Sequence, residues 1–282
     1  MIPKRHLAKV NILKVTGAFS SRAKDIVAAE EPLEIRLAGE HDGKRFDQNV
    51  SVTMRTPGDD FELAAGFLFT EGILRSRDDL REITYCVGAK KDEQQYNVVR
   101  VRLKPGVSFD PKRLQRNFYA TSSCGVCGKA SLEAIRTLGH VELPPDSPRV
   151  DKGLVPRLPD ALRKKQSLFE KTGGIHAAAL FDVQGNLLSL REDVGRHNAV
   201  DKIIGEQFLE DAVPLHERIM LVSGRTSFEV LQKALAAGIP FVAGVGAPSS
   251  LAVELAREFN LTLCGFVRDG RFNVYSGEER LA

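Results

Sequence analysis

The sequence predicts an α/β protein whose first part is mixed α+β, and three features lead there. From Gly174 onward, apolar strand-like runs alternate with amphipathic helical runs, the order that gives right-handed crossovers and a mostly parallel sheet covered by helices. Ahead of the cysteine-bearing stretch 121–138, strand-like runs surround one helix without that regularity. Between the two halves, residues 139–157 are dense in proline and lack periodicity, which marks a connection. The expected division is an N-terminal part, 1–140, and a C-terminal α/β domain, 141–282.

In order, "PLEIRLAG" (32–39) and "QNVSVTMRTP" (48–57) read as strands. "DDFELAAGFLFTEGIL" (59–74) reads as a helix opened by Asp59 or Asp60 as cap. "EITYCVGA" (82–89) and "YNVVRVRLKP" (96–105) are further strands. A helix follows the cysteine pair of 121–138, and another is expected over 158–171. The second half then gives strands "IHAAALFDV" and "LLSLRED" joined by the turn "QGN", and helix "GRHNAVDKIIGEQFLE". Strand "RIMLVSG", helix "TSFEVLQKALAAG", strand "PFVAGVG", helix "PSSLAVELAREFN" and strand "LTLCGFVRDG" complete it.

Composition narrows the function classes. With 43% hydrophobic residues, 27% charged and a net charge of only +3, the chain is an ordinary globular protein, and charge nominates no nucleic-acid partner. The tightest basic run, Arg163-Lys164-Lys165, reads as a solvated helix face. No run of eighteen apolar residues exists, and the first 21 residues lack a signal-peptide core, so no membrane contact and a cytoplasmic location are expected. Four cysteines are too few for a disulfide framework.

Two of those cysteines, Cys124 and Cys127, stand three apart in "TSSCGVCGKASLEAIRTL" (121–138). Zinc would need two more ligands; Cys86 and Cys264 sit alone in apolar strands, and His176 and His197 lack a paired spacing. No resident metal is therefore expected. A thioredoxin-like dithiol fits the local context and not the global one. A nucleophile is the third reading. A helix starting near Gly128 turns its positive end on the pair, Lys129 adds a cation, and both favour the thiolate.

Three strand-to-helix turns share a second chemical character: "REDVGRHN" (191–198), "VSGRTS" (222–227) and "VGAPSS" (245–250). If the strands are parallel, all three lie at the carboxyl edge of the sheet, where open α/β folds bind ligands. Each offers a helix N-terminus, and Arg196 and Arg225 add cations, a combination suited to phosphate or pyrophosphate. Asp193, Arg196 and His197 crowd the first turn, Ser223, Gly224 and Arg225 form the second, and Ser249 stands in the third. The charges that follow His197, Asp201 and Lys202, read as the solvated face of an amphipathic helix.

Several strings together resemble one family, the formate dehydrogenase accessory sulfurtransferases, or FdhD proteins. They are "SSCGVCG", "GGIHAAAL", "REDVGRHNAVDK", "SGRTSFE", "GAPSSLAVELA" and "LCGFVRDGRFNVYS", in order between 122 and 276. The resemblance implies a cytidine-deaminase-like core with a central mixed sheet flanked by helices. It implies a carrier that takes sulfur from a cysteine desulfurase as a persulfide on Cys124, with Cys127 assisting. The acceptor would be the molybdenum bis-molybdopterin guanine dinucleotide cofactor destined for the formate dehydrogenase catalytic subunit. It places cofactor binding at Phe266, Val267, Arg268, Asp269, Gly270 and Arg271. A zinc deaminase is excluded by pattern: Ala178 stands where HxE needs its glutamate, and the CxxC precedes the histidine. A homodimer is expected because two-fold pairs are the commonest assembly and a two-pterin ligand suits one. The alternative is a binding chaperone that shields the cofactor, with the CxxC structural or metal-binding.

Overall fold

The computed structural model describes residues 6–41, 43–86, 96–107, 143–145 and 147–282. Cys124, Cys127 and the helix expected after them lie outside the described residues.

The N-terminal part holds two sheets. β1 (Leu7–Thr16) and β2 (Phe19–Ala28) form an antiparallel ribbon in a region where the sequence reading assigns no element. β3 (Glu31–His41), β4 (Lys44–Arg55), β5 (Leu80–Tyr85) and β6 (Val98–Leu103) form a four-stranded sheet in the order β4-β3-β6-β5. β3 and β6 run parallel and the outer pairs antiparallel. Alternation makes this sheet one-sided. Leu33, Ile35, Leu37, Val99, Val101 and Leu103 are buried beneath α1 (Asp60–Thr70), while Glu34, Arg36 and Arg100 face outward.

Asp59 is the cap of α1, yet it makes no side-chain capping bond and adopts φ 52°. Asp60 is the working carboxylate. It takes a two-pronged pair from buried Arg55 at 3.0 Å on both oxygens, and the Tyr85 hydroxyl at 3.0 Å. Burial and that carboxylate push the Tyr85 phenol upward, so it stays a donor.

The C-terminal sheet has the order β12-β11-β10-β9-β7-β8. Its strands are β7 (His176–Phe181), β8 (Leu187–Asp193), β9 (Ile219–Val222), β10 (Phe241–Gly244), β11 (Thr262–Arg268) and β12 (Arg271–Ser276). β9, β10 and β11 are parallel; β7 is antiparallel to both neighbours and β12 to β11, so the sheet is mixed. Both faces are covered, which explains strands such as "IMLV" and "FVAG" that are apolar throughout. Helices α4 (Arg196–Leu209), α5 (Phe228–Ala236) and α6 (Ser250–Glu258) pack on one face around Ile203, Leu231 and Leu255. α2 (Leu158–Arg163) lies on the other with Leu158 and Leu162. The single helix expected over 158–171 is broken at Gln166 into α2 and α3 (Ser167–Thr172).

α1 crosses α4 and joins the two parts. Gly66 and Gly205 meet there so closely that a Cβ on Gly66 would stand 1.9 Å from the Asp201 carbonyl oxygen. A Cβ on Gly205 would stand 1.8 Å from that of Glu62. The contact closes over charges. Asp201 and Lys202, expected on a solvated face, are 3% and 1% exposed. Asp201 pairs with Lys233 of α5 at 2.8 Å and accepts from Thr70 of α1 at 3.0 Å; Lys202 pairs with Asp193 at 2.7 Å. The correction has a simple cause: α4 is covered by the sheet on one side and by α1 on the other, so its polar side needs internal partners. Arg163, Lys164 and Lys165 are exposed.

Candidate functional site

β8 is antiparallel to β7, and β7 to β9, so β8 points the same way as β9, β10 and β11. The turns after β8, β9 and β10 therefore share one edge. The start of β7 at His176 and the β11–β12 hairpin at Asp269-Gly270 lie there too. Segments 191–198, 222–227, 245–250 and 266–271 are thus neighbours in space.

Backbone hydrogen bonds zip the turns together. The Gly246 amide donates to the Gly224 carbonyl at 3.0 Å, Thr226 to Ala247 at 3.2 Å, Ser249 to Thr226 at 3.0 Å and Phe266 to Gly246 at 3.0 Å. The Ser223 hydroxyl accepts from the Ala177 amide at 2.9 Å, and Ser249 caps α6 by accepting from Ala252 at 3.3 Å. Phe266 holds φ 54° and Asp269 φ 54°, values uncommon for residues with a side chain, where β11 bulges into its hairpin.

These bonds change which groups can meet a ligand. In the first turn the anion is internal. The Asp193 carboxylate is wholly buried, accepts from the Thr56 and Gly195 amides at 3.1 and 2.8 Å and from the Asn198 side chain at 3.0 Å, and pairs with Lys202. Asp193 fixes the shape of the edge from within, and Val267 is likewise buried. The turn amides named above are engaged within the protein, and side chains add capacity for an anion: Arg196, half-buried, and Arg225, Arg268 and Arg271, exposed. The Arg268 guanidinium lies 5.8 Å from the Phe266 ring centre.

Removing the partner of a buried carboxylate is costly, so Lys202→Met is expected to lower stability by about 3–5 kcal/mol in urea unfolding. Asp193→Asn in the same background should recover part of that loss, because it removes the stranded charge.

His197 lies against this cation group. Its Nε2 is 3.2 Å from the Ser227 hydroxyl, accepts from Arg196 Nε at 3.3 Å and stands 3.8 Å from the Glu229 carboxylate. Burial first, then Arg196, push its pKa down to about 4. His176 is also lowered, again by burial and then Arg196. Both rings are neutral near pH 7 and can accept or pass a proton without adding charge. The His197 shift makes the folded state bind protons less readily than the unfolded chain. Its stabilising effect is complete above the ordinary value of 6.5 and is lost as pH falls toward about 4. A ring-carbon NMR titration should find the His197 midpoint near 4; a midpoint above 6 would contradict the buried setting.

Beside His176 a cleft of about 680 Å³ opens between the edge and α2–α3. Leu162, Arg163, Gln166, Phe169, His176 and Ser223 line it. The Arg163 guanidinium sits 3.9 Å above the Phe169 ring. Gln166 is 5% exposed, and its side-chain amide nitrogen has no partner among the described residues. Glu192 fixes α3 by accepting from the Leu168 and Phe169 amides at 3.0 and 2.9 Å. The cleft residues Gln166 and Phe169, and the neighbour Glu229, are absent from the sites read in the sequence. The one local signal was the basic run at Arg163, read there as solvated. Among the described residues, no three His, Cys, Asp or Glu side chains converge as a metal site. No helix among them is long and apolar enough to cross a membrane.

A family model described as the FdhD/NarQ family matches residues 28–282. The chain belongs to the FdhD/NarQ family. Relatives called sulfur carrier protein FdhD include one from Streptomyces avermitilis, 54% identical over 94% of this chain and 92% of that protein. Another, from Sulfolobus acidocaldarius, is 42% identical over 98% of both chains. A crystal structure from Desulfotalea psychrophila, of a protein proposed to be a formate dehydrogenase accessory protein, superposes with a TM-score of 0.74. It covers 98% of this chain and 99% of that one at 24% identity, so this FdhD/NarQ member shares its fold. In this family member, mixed sheets flanked by helices carry the edge just described.

Proposed function

We propose that this protein is a sulfur carrier for formate dehydrogenase maturation, working as a sulfurtransferase through a persulfide on Cys124. The observation that carries the reading is membership of a family whose relatives are named sulfur carriers, in a chain with Cys124 and Cys127 inside the matched span. In the first step the Cys124 thiolate attacks the outer sulfur of a cysteine desulfurase's persulfide. The desulfurase thiolate leaves, and the sulfur stays on Cys124 with no change in the electron count. The acceptor is the molybdenum bis-molybdopterin guanine dinucleotide cofactor, bound as cargo and passed on to the formate dehydrogenase catalytic subunit. Cys127 assists or takes the sulfur in turn. The protein works in the cytoplasm as a homodimer.

The edge supplies what such cargo needs. Arg196, Arg225, Arg268 and Arg271 would meet its phosphates by charge-assisted hydrogen bonds. The cleft, with its Arg163–Phe169 platform and buried Gln166 side-chain amide, would take a planar ring with polar edges, and neutral His197 would sit beside the phosphates as an acceptor or proton carrier. GDP is a probe of this arrangement. Phe169→Ala is expected to weaken GDP binding about tenfold in calorimetry, the loss of one ring contact, and unchanged affinity would place the base elsewhere. Protein purified from cells that make the cofactor should release GMP on acid hydrolysis together with molybdenum. Protein purified free of both from such cells would count against the cargo assignment.

A further inference from the structure

The β1–β2 ribbon pairs with no other described strand, and its ten register pairs all join β1 to β2. β2 packs against α3. Toward the far end Leu13, Val15 and Phe19 are 62%, 63% and 84% exposed. An isolated two-stranded hairpin is marginal in water, so a ribbon of two ten-residue strands needs a surface to lie on. Most of it, residues 7–27, also falls outside the span matched by the family model.

We infer that this ribbon is an arm by which two copies of the chain clasp each other, each arm lying on the body of the other copy. This rests on the homodimer reading above and names its surface. Permanence favours a second copy. A partner met only during sulfur transfer would leave the apolar tip bare for most of the protein's life, whereas another copy is always at hand. Size agrees: the arm's two ten-residue strands approach the roughly 20–30 residues a side that a stable interface uses, and reciprocal exchange engages two arms. Charge sets the geometry. Lys9, Lys14, Arg22 and Lys24 oppose a single carboxylate, Asp25, so two arms stacked on one another would repel. The exposed apolar pair Val52 and Met54, on edge strand β4, shows that the body carries apolar surface of its own. Because β2 touches α3, which carries Phe169 into the cleft, clasping would also brace one wall of the candidate site.

The test is sedimentation equilibrium of the full chain, wild type against Leu13→Ser/Val15→Ser/Phe19→Ser, with hydrogen exchange of the ribbon amides on dilution. All three changes are at exposed positions, and circular dichroism checks that the fold is kept. The expected result is a wild-type dimer whose ribbon amides lose protection as it dissociates, and a dissociation constant raised at least about 100-fold in the variant. A wild-type dimer matched in affinity by the variant overturns the arm while leaving the dimer standing. A wild type that stays monomeric at about 100 µM, a concentration at which even weak homodimers form, overturns both. A monomeric wild type that sediments with phosphatidylserine vesicles through the same three residues overturns the clasp and assigns the arm to a membrane.

Discussion

Cys124→Ala is expected to abolish formate dehydrogenase maturation, with activity in a complemented deletion strain falling to that of the empty vector. A persulfide needs a sulfur to form on, and Cys264 cannot stand in for Cys124. Cys264 is wholly buried and its thiol is pushed up to about 12 by that burial, which leaves it inert at neutral pH. Cys124→Ser should be as inactive, because a serine hydroxyl is neither ionised at pH 7 nor able to hold transferable sulfur. GDP affinity should stay within about twofold in both variants, since the proposed ligand contacts come from the sheet edge and not from the cysteines. Maturation that survives Cys124→Ala would favour a chaperone that only shields the cofactor.

The second large effect concerns the fold. Gly66→Ala is expected to cost on the order of 5 kcal/mol, a large share of the 5–15 kcal/mol that holds a domain together. The added carbon would stand 1.9 Å from a backbone oxygen of α4, and a helix carbonyl cannot swing aside as a side-chain tip can. The helices would have to part. Parting them stretches the bonds that cross the contact, the Thr70 hydroxyl to Asp201 and the Thr53 and Met54 bonds to Asn198 at 3.2 and 2.7 Å. Each separated group would then be buried without its partner. Gly205→Ala should behave alike, and the double variant should cost less than the sum because one parting accommodates both. A denaturation midpoint within error of wild type for Gly66→Ala would contradict the close crossing.

What the sequence told, and what it withheld, follows from the range of the interactions involved. The strands and helices after Gly174 are legible because local periodicity and tertiary packing agree there. The three turns could be placed on one edge because parallel strands leave them no other place. The ribbon was missed because "LAKVNILKVT" and "FSSRAKDIVA" alternate imperfectly and face no core of their own. The roles of Asp193, Asp201 and Lys202 were also hidden. Their partners Thr56 and Thr70 stand more than 130 positions away in the chain, or, for Lys233, on a different helix, and a charge-rich helix looks solvated until its neighbours are known. The cleft was hidden for a similar reason: it forms where the expected 158–171 helix breaks, and the break shows only in three dimensions. The cysteine pair lies outside the described residues, so its reading rests on its spacing and its glycines alone.

Intact-protein mass spectrometry after incubation with a cysteine desulfurase and free cysteine tests the central claim most directly. The account predicts a gain of one sulfur atom, reversed by a thiol reductant, present in wild type and absent in Cys124→Ala. No gain while the desulfurase is turning over, or an equal gain in Cys124→Ala, would contradict it.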